Sequence, residues 1–236
     1  MRAAATTWMG LALVGATMLT GCATSGPAPM ALHGEAGQRA QQLPVKSRFI
    51  RTGRSPVSFG DYRTTGHYGW SLPTRSVTGP DEWIGHGRER MRFGFTLQEH
   101  ARTGPQVRCH AAHEFVRLGG HDGGLDLPVD PGRPLLVCEI DEASMTLWKQ
   151  HDSVFGELRQ PDGEVQRIVG EYRVGGWLRH IASPVGYRII APGGSDAMVV
   201  SVEGHGDVWL DSAVPAASRD TLAAAAATLL MVGSAQ

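Results

Sequence analysis

Residues 222 to 232 read LAAAAATLLMV, eleven residues with Thr228 as the only polar member, and this stretch limits the folds open to the chain more than any other. Alanine and leucine are strong helix formers. Pro215 suits the first turn of a helix, where its missing N–H would have no partner anyway, so a helix is expected over about 216–232. A helix at a protein surface carries a polar stripe, whereas one that is apolar all round belongs inside something. Eleven residues rise about 16 Å, far short of the roughly 30 Å of a bilayer core, so the surroundings are expected to be protein. The alanines leave a thin rod that strands can approach from several sides.

The sequence before this helix reads mostly as strands. The clearest are Ser47 to Arg51, Val57 to Tyr62, Glu89 to Leu97, Val107 to Val116, Pro134 to Ile140, Met145 to Lys149, Val165 to Tyr172, Tyr187 to Ala191, Ala197 to Val202 and Val208 to Leu210. Asp130-Pro131-Gly132, Pro161-Asp162-Gly163, Pro192-Gly193-Gly194 and Gly204-His205-Gly206 fall between them, and glycine and proline supply turn geometry that strands cannot. No helical pattern alternates with the strands, which argues against a parallel sheet with crossovers. The expected fold is mostly β, a single antiparallel β-barrel or strongly curved sheet packed around a buried carboxyl-terminal helix. The alternative is an open α+β sheet with the helix on one face, since exposed alanine is cheap.

Many short strands followed by the terminal LAAAAATLLMV resemble the tubby-like architecture, a closed antiparallel barrel threaded by its last helix. A basic patch matching that family's phosphoinositide site is absent from the sequence.

The amino terminus carries a second signal. Arg2 supplies a positive start, Trp8 to Leu19 an apolar segment, and Ala16 to Gly21 small residues, the three-part layout of an export signal. Leu19-Thr20-Gly21-Cys22 resembles the lipobox of bacterial lipoproteins. The resemblance implies cleavage before Cys22, diacylation of its sulfur and acylation of the new terminus. Ala23 after the cysteine is the choice that, in Gram-negative cells, sends lipoproteins to the outer membrane. With the Gly186-Tyr187 and Val208-Trp209-Leu210 strands and the alanine-rich end, the chain resembles uncharacterised proteobacterial lipoproteins. The expected organisation is a signal peptide over 1–21, an acylated cysteine with a flexible tether over 22–45, and one β-rich domain over 46–236. The tether reading rests on ATSGPAPMALHGEAGQRAQQLPV, which has no apolar period of either kind; a coil of that length would reach roughly 25 to 30 Å.

Cleavage before Cys22 removes Arg2 and no acid, taking the formal charge from −1 to −2. That balance lacks the basic stripe that nucleic-acid binding requires, and the 20 arginines are scattered through the strands, read as solvent-facing partners of nearby acids. With Cys22 acylated, Cys109 and Cys138 remain. An exported protein lives where thiols oxidise, so the two are expected to bridge neighbouring strands, with a pair of buried free thiols as the alternative.

Candidate chemistry centres on Cys109 to Asp126. Cys109-His-Ala-Ala-His-Glu114 places two histidines beside a glutamate, yet zincins need HExxH on a helix, so that both imidazoles share a face. On a strand His110 and His113 would face opposite ways. A surface histidine pair beside a disulfide is the favoured reading; His110, His113 and His121 form the alternative metal set. Gly119 to Gly124 with Asp126 and Asp130 is read as a long connection, because its acids lack the alternating spacing of a calcium loop. Dispersed acids and bases, His67, His86, His100, His121, Asp61, Asp81 and Glu99, could converge only in three dimensions. Trp70, Trp83, Trp148, Trp177 and Trp209 are read as core or cross-strand packing rather than a pocket lining. No nucleophile elbow, Walker loop or dinucleotide fingerprint occurs in the sequence, and no catalytic residue or cofactor is expected.

The expected role is therefore a non-enzymatic binding or structural lipoprotein of the outer membrane and periplasm, on the periplasmic face. Its partners are the membrane, through lipid on Cys22, and other envelope proteins or a hydrophobic ligand. The alternative is a metal-assisted envelope hydrolase with its site near 109–126. A lipid carrier would need a cavity, which a helix filling the barrel would occupy.

Overall fold

A computed structural model of the chain describes residues 30–47, 56–69, 74–81, 84–118, 125–128, 132–150, 153–172 and 184–234. In chain order the elements are α1 (Gly34–Gln38), β1 (Ala40–Ser47), β2 (Ser58–Phe59), β3 (Tyr62–Tyr68), β4 (Thr74–Asp81), β5 (Ile84–Glu99), β6 (Arg102–Leu118), β7 (Leu125–Pro128), β8 (Leu136–Ile140), β9 (Ala143–Gln150), β10 (Ser153–Arg159), β11 (Val165–Glu171), β12 (Gly186–Ile190), β13 (Asp196–Ser201), β14 (Asp207–Asp211) and α2 (Ala216–Ser234).

Twelve of these strands close into an antiparallel barrel in the order β5, β3, β2, β1, β14, β13, β12, β11, β10, β9, β8, β6, and the β5–β6 hairpin completes the ring. The open-sheet alternative is thereby set aside. Closure leaves no free edge among these twelve strands, which removes the unpaired N–H and C=O groups that make open sheets prone to association. The hairpin is longer than the wall it completes. Its near half, around Gly94 to Glu99 and Val107 to His110, pairs with β3 and β8; its far half pairs with β4 and β7. The far half thus stands as a four-stranded extension at one end of the barrel.

Side chains alternate along each strand, and the inward set is apolar: Met91, Phe93, Phe95 and Leu97 on β5, Leu136, Cys138 and Ile140 on β8, Ala143, Met145 and Leu147 on β9. They close on α2, whose residues from Thr221 to Val232 are all buried. The helix enters where Asp220 accepts two hydrogen bonds from the Arg102 guanidinium, at 2.8 and 2.9 Å. Of its two buried polar residues, Thr221 and Thr228, the Thr228 hydroxyl donates to the Ala224 carbonyl at 2.9 Å and so needs no partner from the wall. Small alanine side chains let β6, β8 and β13 come close.

Several expectations are corrected. Of the tether expected over 22–45, residues 30–45 belong to the fold: residues 30–39 lie as a strap on the outer wall, and Ala40 to Pro44 pair residue for residue with Asp211 to Asp207. The strap escapes a periodicity search because only Met30, Leu32 and Ala36 of it are buried, in a second apolar cluster with Val185, Val199 and Trp209. Strand β10 was not expected. Its inward residues are Val154, Gly156 and Leu158, while Phe155 faces outward, so glycine and phenylalanine invert the usual alternation. The expected strand over Glu89–Leu97 runs instead from Ile84 to Glu99, and β4 and β7 were also unforeseen. Residues 48–51 of the first expected strand lie outside the described residues.

Candidate functional site

Cys22 and the whole export signal lie outside the described residues, as do His121, the Gly119 to Gly124 connection, Trp70, Trp83 and Trp177. Cys109 and Cys138 are brought together. They sit directly opposite in the β6–β8 register, with their Cα atoms 4.1 Å apart and their sulfurs at bonding distance. Close cross-strand positions of this kind are where side chains of an antiparallel pair approach most nearly. Both cysteines face inward, so the bridge belongs to the core.

Outside that bridge, the barrel wall carries a groove of about 510 Å³ lined by Tyr68, Arg92, Arg108, His110 and Glu139 among others. Strand register builds it: Arg92 lies opposite His110, and Arg108 opposite Glu139. The Arg108 guanidinium donates to Gln106 Oε1 at 3.0 Å. Tyr68 lies over Gly94, where any side chain would collide with the phenol ring, and its hydroxyl donates to the Val107 carbonyl at 3.4 Å. A metal held by His110 would meet two guanidiniums that never deprotonate, and the neighbouring Cys109 sulfur is bonded to Cys138. His110 and His113 are positions of opposite parity in an unbroken stretch of the β5–β6 ladder. Among the described residues, no three His, Cys, Asp or Glu side chains are placed to hold a metal ion.

Of the scattered acids and bases, His67, His100, Asp61 and Glu99 have described side chains. His100 Nε2 and Asp61 Oδ1 are exposed and 3.6 Å apart, and Glu99 accepts from Arg102 at 2.6 Å. His67 is half-buried, with Nε2 3.0 Å from the Thr64 hydroxyl. Burial pushes its imidazole below the ordinary value of 6.5, against a smaller opposing effect of the Thr64 backbone. The Tyr62 phenol is pushed up to about 12, chiefly by burial and then by the Glu99 charge. The side chains of His86 and Asp81 lie outside the described set.

A feature that sequence reasoning missed runs along the outer face. Trp148 lies opposite Phe155, Phe155 opposite Val169, Val169 opposite Arg188, Arg188 opposite Val199, and Val199 opposite Trp209. One row of the wall is thus apolar except for Arg188. The strap covers its Val199–Trp209 half. Arg188 clamps the strap, donating to Asp196 Oδ2 and Glu171 Oε1, both at 2.7 Å, and to the Ala31 carbonyl at 3.1 Å. At the other end of the strap, the Arg39 fork meets both Asp211 oxygens at 3.0 and 2.9 Å. The remaining half stays open: Phe155 is 40% and Val169 36% exposed, and Trp148 stacks on Phe155 with ring centroids 5.8 Å apart. Of the five tryptophans singled out, the two described ones therefore sit on the outer wall, Trp209 under the strap and Trp148 in a cross-strand pair. The sequence-level signal for this row was the outward Phe155 beside the inward Gly156.

Comparisons of the chain with models of protein families, with curated proteins and with solved structures find no match.

Proposed function

We propose that this chain is a lipoprotein of the bacterial envelope, held by acyl chains on Cys22, whose solid-cored barrel acts through its outer wall as a binding or structural component at the periplasmic face of the outer membrane. One observation supports this reading above others: α2 occupies the barrel interior, with every residue from Thr221 to Val232 buried. A small-molecule carrier or a buried catalytic cleft needs a cavity, and here the interior is taken by the chain's own helix. What remains for recognition is the wall, with its charged groove around Arg92, Arg108 and Glu139 and its partly covered apolar row. The alternative, a metal-assisted hydrolase around 109–126, has the Cys109 sulfur committed to Cys138 and His110 beside two arginines.

Intact-mass measurement of the protein from its native membrane, combined with metal analysis, separates the two readings. A mature chain starting at acylated Cys22, with no stoichiometric metal, is the expected result. Recovery of one equivalent of zinc, abolished by His110→Ala, would replace the binding role with the hydrolase. An unprocessed chain retaining Met1 would remove the lipoprotein reading itself.

A further inference from the structure

The apolar row on the outer wall does not stop where the strap stops, and the strap begins beside its open half. Ala31 is held through its carbonyl by Arg188, and Arg188 is the register neighbour of Val169. The first described residues therefore lie at the tip of the Arg188 side chain, whose strand is the neighbour of the one carrying Val169. Eight peptide steps separate Cys22 from Met30. Fully extended they span about 29 Å at most, and as a flexible coil about 14 to 17 Å. A tether this short cannot hold the barrel well clear of its anchor.

We propose that the open half of the row, Trp148, Phe155 and Val169, rests against the lipid headgroup layer of the membrane that holds the chain. The inference depends on acylation of Cys22 and adds to it an orientation: the wall made by β9, β10 and β11 faces the bilayer, and the opposite wall around β2 and β3 faces away. The occupant follows from what could cover these side chains. The preceding segment, CATSGPAP, has no large apolar side chain to lay over an indole and a phenyl ring. A second copy would need roughly 800 Å² from each partner for a stable interface, far more than three side chains supply. A headgroup layer needs no matching shape, and aromatic rings with a polar edge favour that depth. On the same face Arg167 lies opposite Glu157 in register, so the row is flanked by one charge of each sign.

The test uses the full chain purified with its native acyl groups and placed in vesicles of phosphatidylethanolamine and phosphatidylglycerol. With Cys22 acylated and Cys109 bridged to Cys138, one added cysteine is the sole site for a fluorophore. Glu157→Cys puts it beside Phe155, and Arg63→Cys puts it on the opposite wall. Lipids carrying a headgroup nitroxide should quench the label at 157 severalfold more than the label at 63. Phe155→Ser together with Val169→Ser should bring the two to the same level, with the intact mass still showing acylation. Equal quenching at both positions in acylated protein would overturn the orientation and leave the anchor standing. Unacylated Cys22 in the intact mass would overturn the anchor and the orientation together. A label at 157 that ignores the lipid quencher while the protein runs as a dimer would assign the row to a second copy and overturn the proposal.

Discussion

Asp211 accepts both arms of the Arg39 fork and also caps the Ala213 N–H at 2.9 Å. The Arg39 hydrogen bonds, assisted by the Ala213 N–H, hold its carboxyl below the ordinary 3.8. His67 is likewise held below 6.5, by burial. In both cases the unfolded chain binds a proton more readily than the folded one, so stability rises with pH across the interval between the two values. The contribution of His67 is complete above 6.5 and is lost as pH falls through its folded value. That of Asp211 is complete above 3.8 and disappears in stronger acid. Urea unfolding followed against pH should show two separable acid losses: His67→Gln should flatten the upper one, and Asp211→Asn the lower. A profile unchanged in both variants would mean that neither group is linked to folding. Neither partner was legible in the sequence, because Asp211 and Arg39 are 172 residues apart and their meeting depends on β1 lying beside β14.

At the scale of elements, α2 was the most legible part of the chain. Its propensity is local and its apolar character runs all the way round, so both helix and burial could be read without knowing a neighbour. The structure gives Ala216–Ser234, with Ala224 to Ala227 wholly buried. Their small size is a packing requirement, since β6, β8 and β13 come close to the helix. Ala225→Leu should therefore destabilise the protein by about 1–3 kcal/mol or more through overpacking, whereas Ala217→Leu, exposed in the first turn, should change stability by under about 0.5 kcal/mol. Chemical denaturation of the two variants checks this, and equal midpoints would contradict tight enclosure. Strands with an intact period of two, such as β8 and β9, were equally readable. Strand β1 was not: Gln41, Gln42 and Pro44 give it no apolar alternation, and only Leu43 of its first five residues is buried. The strap was hidden for a similar reason, since its few anchors, Met30, Leu32 and Ala36, follow the surface of the barrel and no period of their own.

The whole molecule is a ring of pairings that draws on both ends of the chain: β1 lies on β14, and the β5–β6 hairpin joins β3 to β8. Such a ring encloses an apolar interior that something must fill. A chain ending at Val214 would keep all fourteen strands and lose the helix that fills them, exposing Phe95, Leu97, Met145 and Leu147 among others. It should show no cooperative urea transition and no near-ultraviolet dichroism, and retention of both would mean that the barrel stands without its centre. The sequence by itself determined that there would be a buried terminal helix, a wall of antiparallel strands and, in an oxidising compartment, two cysteines able to pair, because propensity, side-chain period and cysteine number are local quantities. Closure of the wall, the strap clamped by Arg188 and Arg39, and the side on which the apolar row stays open were decided only in the tertiary structure. Each depends on which distant residues become register neighbours, and a linear pattern carries no record of that.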